Sequence, residues 1–374
     1  MRIAAVVACL LALSALPADA SVKRARVPKP GHTLVLVGQD TQTEDDYVRE
    51  TGGRVPAGFM NYIFLEDSPE QFSKHLADIQ AHADKYPGSV LQFGVTMGYS
   101  TFWSTITGNP QPPGALQITN GANDAQIDLL AKWLEQLHHT AYLRLGYEFD
   151  LLGGQWGTPD QYKAAYRYIV DRLRAEHVRN ALYVWHSAGA YFKTTDWSGP
   201  VGLIGTMDYS PGDQGDPLLD VIAAPRGDVQ PISDYYPGRS YVDLFAISFW
   251  DDAYGFGRSS EHARALYRER TQELLDQAKT MGLPLMIGES TPAYIGFDSH
   301  ADSLTWLKRY FELIEHNDIR ALSLIVPDWP NIDGGRWGQP YWNGYWPDAR
   351  VHHFADARAA WLATLDEPRY VEAG

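Results

Sequence analysis

Cysteine is almost absent from this chain. Its 374 residues contain only Cys9, which lies in a segment that reads as a removable leader. Without it no disulfide, thiol nucleophile or cysteine metal site can form. Paired histidines near a first strand are also missing: His32 stands alone at that strand's start, so metal-dependent barrel hydrolysis lacks its usual ligands. No cofactor or metal is expected. Basic runs are absent beyond Lys23 to Lys29, and the net charge is −15, which argues against a nucleic-acid partner. After the first twenty residues no apolar stretch approaches the ~20 residues of a membrane span, so no membrane-spanning segment is expected. The glycine fingerprint of a dinucleotide fold is also lacking, since Gly38-Gln39-Asp40 follows the first apolar run.

What is present begins with a leader pattern. Arg2 gives a positive start, Ile3 to Leu16 an apolar core, and Ala18-Asp19-Ala20 a small-x-small cleavage signal. The expectation is a signal peptide over 1–20 cleaved after Ala20, an extension over 21–31, a catalytic barrel over 32–367 and a tail over 368–374. The mature chain would then be secreted or periplasmic. With no disulfide it must rely on a large core, and it is long enough to build one and act as a monomer.

Eight short apolar runs recur along the chain: His32–Asp40, Val55–Leu65, Ser89–Gly98, Ala141–Asp150, Ala181–Gly189, Asp243–Asp251, Leu283–Thr291 and Arg320–Trp329. Between most of them lie helical patterns. Thr158-Pro159-Asp160-Gln161 is an N-terminal capping box ahead of Tyr162–His177, and Ile127, Leu130, Leu134 and Leu137 stripe another helix. The first crossover, Thr41–Arg54, is the weakest. Eight strand–helix units with no linker predict one (β/α)8 barrel, with an open doubly wound sheet as the alternative. Tyr191–Tyr241 and Pro327–Asp348 exceed what closure needs, and long strand-end loops build binding sites. Twelve Trp and 22 Tyr, many beside Gly, Pro and Asn, suit the apolar faces of sugar rings.

Two glutamates carry the chemistry. Ala141-Tyr142-Leu143-Arg144-Leu145-Gly146-Tyr147-Glu148 and Leu283-Pro284-Leu285-Met286-Ile287-Gly288-Glu289 are each apolar until a late carboxylate. A buried charge is costly unless it has partners or a task, and barrel chemistry sits at the carboxyl ends of strands. Alternation places Tyr142, Arg144, Gly146 and Glu148 on one face, and Leu285, Ile287 and Glu289 on another. Two such acids are what glycoside cleavage needs: a proton donor and an ionised partner. Asp150, His186, Asp251 and Asp252 also stand at strand ends, where they suit sugar hydroxyls or structural hydrogen bonds equally well.

These residues resemble glycoside hydrolase clan A and, within it, family 26, the β-mannanase family. Arg144-Leu145-Gly146-Tyr147-Glu148 is similar to that family's arginine four residues before its catalytic acid. Trp156, Tyr162, Asn180 to Trp185, Tyr235-Tyr236-Pro237-Gly238, Tyr241-Val242-Asp243 and, more faintly, Gly38-Gln39-Asp40 extend the resemblance. It implies that Glu148 is the acid/base and Glu289 the nucleophile of a retaining hydrolase, with carboxyl groups ~5–5.5 Å apart. Substrate contacts are then expected from Arg144, Tyr147, Trp156, His186, Trp250, Trp329, Asp40 and Trp337. The implied partner is a neutral mannan-, xylan- or glucan-like polysaccharide or oligosaccharide, cut internally. Two positions depart from the family: Tyr147 stands where it has His, and Trp250 where it has the sixth-strand tyrosine that orients the nucleophile. A barrel that binds carbohydrate without cleaving it is the alternative.

Overall fold

The computed structural model describes residues 27–100, 111–150, 154–189, 232–250, 261–293, 295–332 and 346–373. Strands β1 (Thr33–Gly38), β2 (Gly58–Ile63), β3 (Val90–Val95), β4 (Ala141–Leu145), β5 (Ala181–Ser187), β6 (Leu244–Phe249), β7 (Leu285–Ser290) and β8 (Ala321–Ile325) pair in parallel, each with the next. The β8–β1 and β1–β2 pairings close the ring. The fold is a (β/α)8 barrel, as the alternation of apolar runs and helical stripes predicts.

The helices form where sequence chemistry starts them. The weak first crossover is a full helix, Thr41–Glu50, whose N-cap Asp40 accepts from the Thr43 amide at 2.9 Å. Helix Pro159–Ala175 opens on Thr158 with both halves of the capping box formed, and Pro69–Ala83 repeats the device with Ser68 and Gln71. Helices Asp124–Gln136, Glu261–Thr280, His300–Asn317 and Ala355–Leu365 pack the outer ring. A further strand, β9 (Tyr370–Val371), pairs with Thr33–Leu34 on the stretch of β1 that β2 leaves uncovered. Part of 368–374, read as a tail, is thus knit to the barrel, and Arg54 reinforces it by an ion pair to Glu372.

Period-2 alternation divides the apolar side chains. Leu36, Tyr142, Leu182, Val184, Leu244, Ala246, Met286 and Ala321 fill the barrel interior. Leu143, Leu145, Trp185, Phe245, Leu285 and Ile287 face the helices. Strand seven therefore corrects the sequence reading by one position: Met286, not Leu285 or Ile287, points inward. The register shifts after Ile287, so that Ser248 pairs with Glu289. This bulge returns Glu289 to the interior, and Ser290 faces out to bond Tyr310 at 2.8 Å.

Candidate active site

Glu148 does not lie on β4. The strand ends at Leu145, and Gly146 and Glu148 take left-handed backbone angles, φ 54 and φ 50. For a residue with a side chain that conformation costs ~1–2 kcal/mol, so the turn needs anchors on both sides. The Gly146 amide donates to the Val95 carbonyl at 2.8 Å and the Phe149 amide to His186 at 3.2 Å. Phe149 stacks on Trp185, with ring centroids 5.1 Å apart, and meets Tyr162 and Tyr235. Asp150 accepts from Ser187 Oγ at 2.6 Å and from the Ala188 amide at 2.7 Å. Its role is to tie this turn to the end of β5. A side chain at position 146 would meet Met97 Sδ at 2.6 Å, so glycine is required there for space as well as angle.

The turn delivers a buried carboxyl to the barrel mouth. Glu148 Oε1 accepts from Ser248 Oγ at 2.6 Å. Burial first, and then the charge of Glu289, push the Glu148 carboxyl up to about 8. Glu289 has different company. Arg144 forms an ion pair with it through Nη1, and the Tyr62 hydroxyl hydrogen-bonds to it. Its bulge is braced across the barrel by Gln92 Nε2, which donates to the Gly288 carbonyl at 2.6 Å. One acid holds its proton near neutral pH; the other faces a guanidinium.

Arg144 is fully buried, with its guanidinium 5.6 Å from the ring centroids of both Tyr62 and Tyr147. Its Nη1 also reaches His186 Nδ1 at 3.2 Å. Two glycines make room for this group. A Cβ at Gly94 would lie 2.5 Å from the Tyr62 ring and 2.9 Å from Arg144 Nη2, and one at Gly288 would lie 3.1 Å from Arg144 Cδ. Gly94→Ala is expected to displace Arg144 and Tyr62 together, lowering kcat/KM on the order of 10²-fold. Steady-state kinetics beside a thermal melt check this: a fall in Tm with unchanged kinetics would mean the clash is absorbed elsewhere.

Arg144, Tyr147, Glu148, His186 and Glu289 thus meet at one point. The other expected contacts lie around it. Trp156 is buried behind Tyr147, with its indole N–H donating to the Tyr147 carbonyl at 2.7 Å, which makes it a brace. His186 is fully buried beneath the carboxylates. Trp250 and Trp329 cluster with Trp346, each with ring centroids 5.1 Å from it, beside Met60 and Ile325. Asp40 serves its own helix, bonding both the amide and hydroxyl of Thr43. Trp337, Asp251 and Asp252 lie outside the described residues. Sequence reasoning missed Tyr62, Gln92 and Ser248. Each is a polar residue inside an apolar strand run, a signal that was available once the inward face was known.

No family model matches the chain. Two curated proteins are similar along nearly its full length: a β-1,3-xylanase of a Vibrio species and another of an Alcaligenes species, each 25% identical over 92% of this chain. The chain spans about two thirds of their length, 67% and 66%. Among solved structures, a family-26 β-mannanase of Bacteroides ovatus superposes with a TM-score of 0.54 at 16% identity, over 92% of this chain and 91% of that one. A family-26 protein of a Muricauda species gives 0.57 at 14% identity, over 92% and 88%. The chain is a glycoside hydrolase whose barrel is similar to those of family 26. The two positions at the mouth that differ from the family-26 pattern have visible consequences. Trp250 cannot supply a phenol from β6, and the hydroxyl that reaches Glu289 comes from β2 instead, on Tyr62. Tyr147 offers its ring to Arg144 and packs 5.4 Å from Tyr62, so both tyrosines hold the guanidinium against Glu289.

Proposed function

We propose that this glycoside hydrolase is exported, cuts its polysaccharide internally and retains anomeric configuration, with β-1,3-linked xylan as the first substrate to try. The observation that carries the reading is the unlike environment of two neighbouring carboxyls: Glu148 is protonated up to about 8, while Glu289 is paired with Arg144. Glu289 attacks the anomeric carbon as the glycosidic C–O bond breaks, and Glu148 passes its proton to the departing oxygen. The glycosyl ester that results no longer carries the Glu289 charge. Because that charge is one of the causes raising Glu148, its loss lets Glu148 act as a carboxylate base. It then takes a proton from water, whose oxygen attacks the anomeric carbon and frees Glu289.

Leu285, Ile287 and the helix-facing side chains only hold the barrel; the sugar would lie across the mouth between Tyr62 and the Trp250–Trp329–Trp346 cluster. Residues 1–20 are proposed as the export leader and 32–367 as the catalytic barrel, working as a monomer. The decisive experiment incubates the purified protein with β-1,3-xylan, β-1,4-xylan, β-1,4-mannan and β-glucan and follows product size and anomeric form by NMR. Oligosaccharides of retained β-configuration from the first substrate are expected. Initial α-products would overturn retention, and cleavage of mannan in place of xylan would reassign the sugar.

A further inference from the structure

Between the two carboxyls runs an unbroken chain of hydrogen bonds: Glu289, Arg144 Nη1, His186 Nδ1, then His186 Nε2, Ser248 Oγ and Glu148 Oε1. Its directions follow from the Arg144 end. A guanidinium has only donors, so His186 Nδ1 must accept and the imidazole is neutral with its proton on Nε2. That proton faces Ser248 Oγ at 3.1 Å and the Ile247 carbonyl, both able to accept. Ser248 has one hydroxyl hydrogen, and the 2.6 Å contact gives it to Glu148 Oε1.

We propose that His186 and Ser248 are positioning residues that hold Glu148 Oε1 as an acceptor, so that Oε2 carries the catalytic proton. The consequence is stereochemical: one defined oxygen of the acid faces the leaving group. It is also electrostatic, because the guanidinium that pairs with Glu289 polarises the same chain that ends on Glu148. The other charged groups near Glu148 are Glu289 of β7, Asp150 of its own turn and Arg144 of β4. Burial and Arg144 together hold the His186 imidazole well below its ordinary value, in keeping with the neutral tautomer the geometry requires. Neither residue needs to touch sugar, and both are fully buried.

The inference rests on the acid/base assignment of Glu148, and the test separates the two. Ser248→Ala is expected to lower kcat/KM on polysaccharide ten- to a hundredfold, a part of the ~10²–10⁴-fold that acid catalysis supplies. On a dinitrophenyl β-xylobioside, whose leaving group needs no proton, the fall should be several times smaller. The alkaline limb of the pH–rate profile should move up, because the lost hydroxyl was favouring the Glu148 carboxylate. Ser248→Thr, which keeps a hydroxyl, should restore both readouts. His186→Asn, which can accept from Arg144 and donate to Ser248, should retain more activity than His186→Leu. Equal losses on both substrates with an unmoved pH profile, or no loss in Ser248→Ala, would overturn the positioning role. A wild-type protein inactive on both substrates would instead overturn the functional reading.

Discussion

Glu289→Gly should stop hydrolysis and then, with azide added, make a new product. The side chain removed is the only carboxylate paired with Arg144 among the described residues, and it lies opposite the Glu148 carboxyl that would protonate the leaving group. Without it the displacement has no first nucleophile, and a loss on the order of 10⁴-fold or more is expected. Glycine at the bulge leaves a space below the anomeric carbon, facing a guanidinium that has lost its counter-ion. Azide is small and anionic, and both properties suit that space. It would attack once, from the Glu289 side, giving a glycosyl azide of inverted α-configuration. Activated aryl glycosides should show the recovery most clearly, since the first step then depends least on the acid. Mass spectrometry and NMR of the product check the result. Unimpaired turnover without azide would remove Glu289 from the nucleophile role, and a β-azide would give it the role of Glu148.

The outline of this site was legible in the sequence, but its geometry was not. Late carboxylates after apolar runs mark strand ends because burial of an unpaired charge is unfavourable, and Glu148 and Glu289 both obey that rule. Arg144 followed from simple alternation on β4. Alternation then fails twice within a few residues. It assumes an extended chain, whereas Glu148 sits in a left-handed turn held by Phe149 and Asp150 against β5. It also assumes an unbroken register, whereas β7 bulges before Glu289. Neither feature has a local signal, because each is set by distant partners: Trp185 and Ser187 for the turn, Gln92 for the bulge. Trp156 shows the reverse error. The resemblance implied a sugar contact there, but its indole N–H is committed to the Tyr147 carbonyl, which puts the ring inside.

The substitution Glu148→Gln should remove activity and strengthen the fold, with the gain growing as pH rises. The amide keeps the shape of the carboxyl, and its oxygen still accepts from Ser248, so the turn has no reason to move. Polysaccharide hydrolysis should fall by ~10²–10⁴-fold, the range that a lost proton donor accounts for. In the wild type, kcat/KM should decline as pH rises past about 8, where the donor loses its proton. The stability effect has a definite sign. The carboxyl titrates near 4.5 when unperturbed and near 8 in the folded protein, so between those values the folded state holds a proton that the unfolded state has released. Folding stability therefore falls as pH rises through this window, and the full penalty stands above about 8. Glutamine does not titrate and escapes it. At pH ~9 the variant should gain a few kcal/mol over wild type, and several degrees in Tm, whereas at pH ~5 the two should nearly coincide. Asp150, also raised, to about 6, is common to both proteins and cancels from the difference. Calorimetric melts at the two pH values decide the matter. A variant less stable than wild type at the higher value would mean that Glu148 is not a buried acid kept for chemistry, and that its carboxylate helps hold the barrel mouth together.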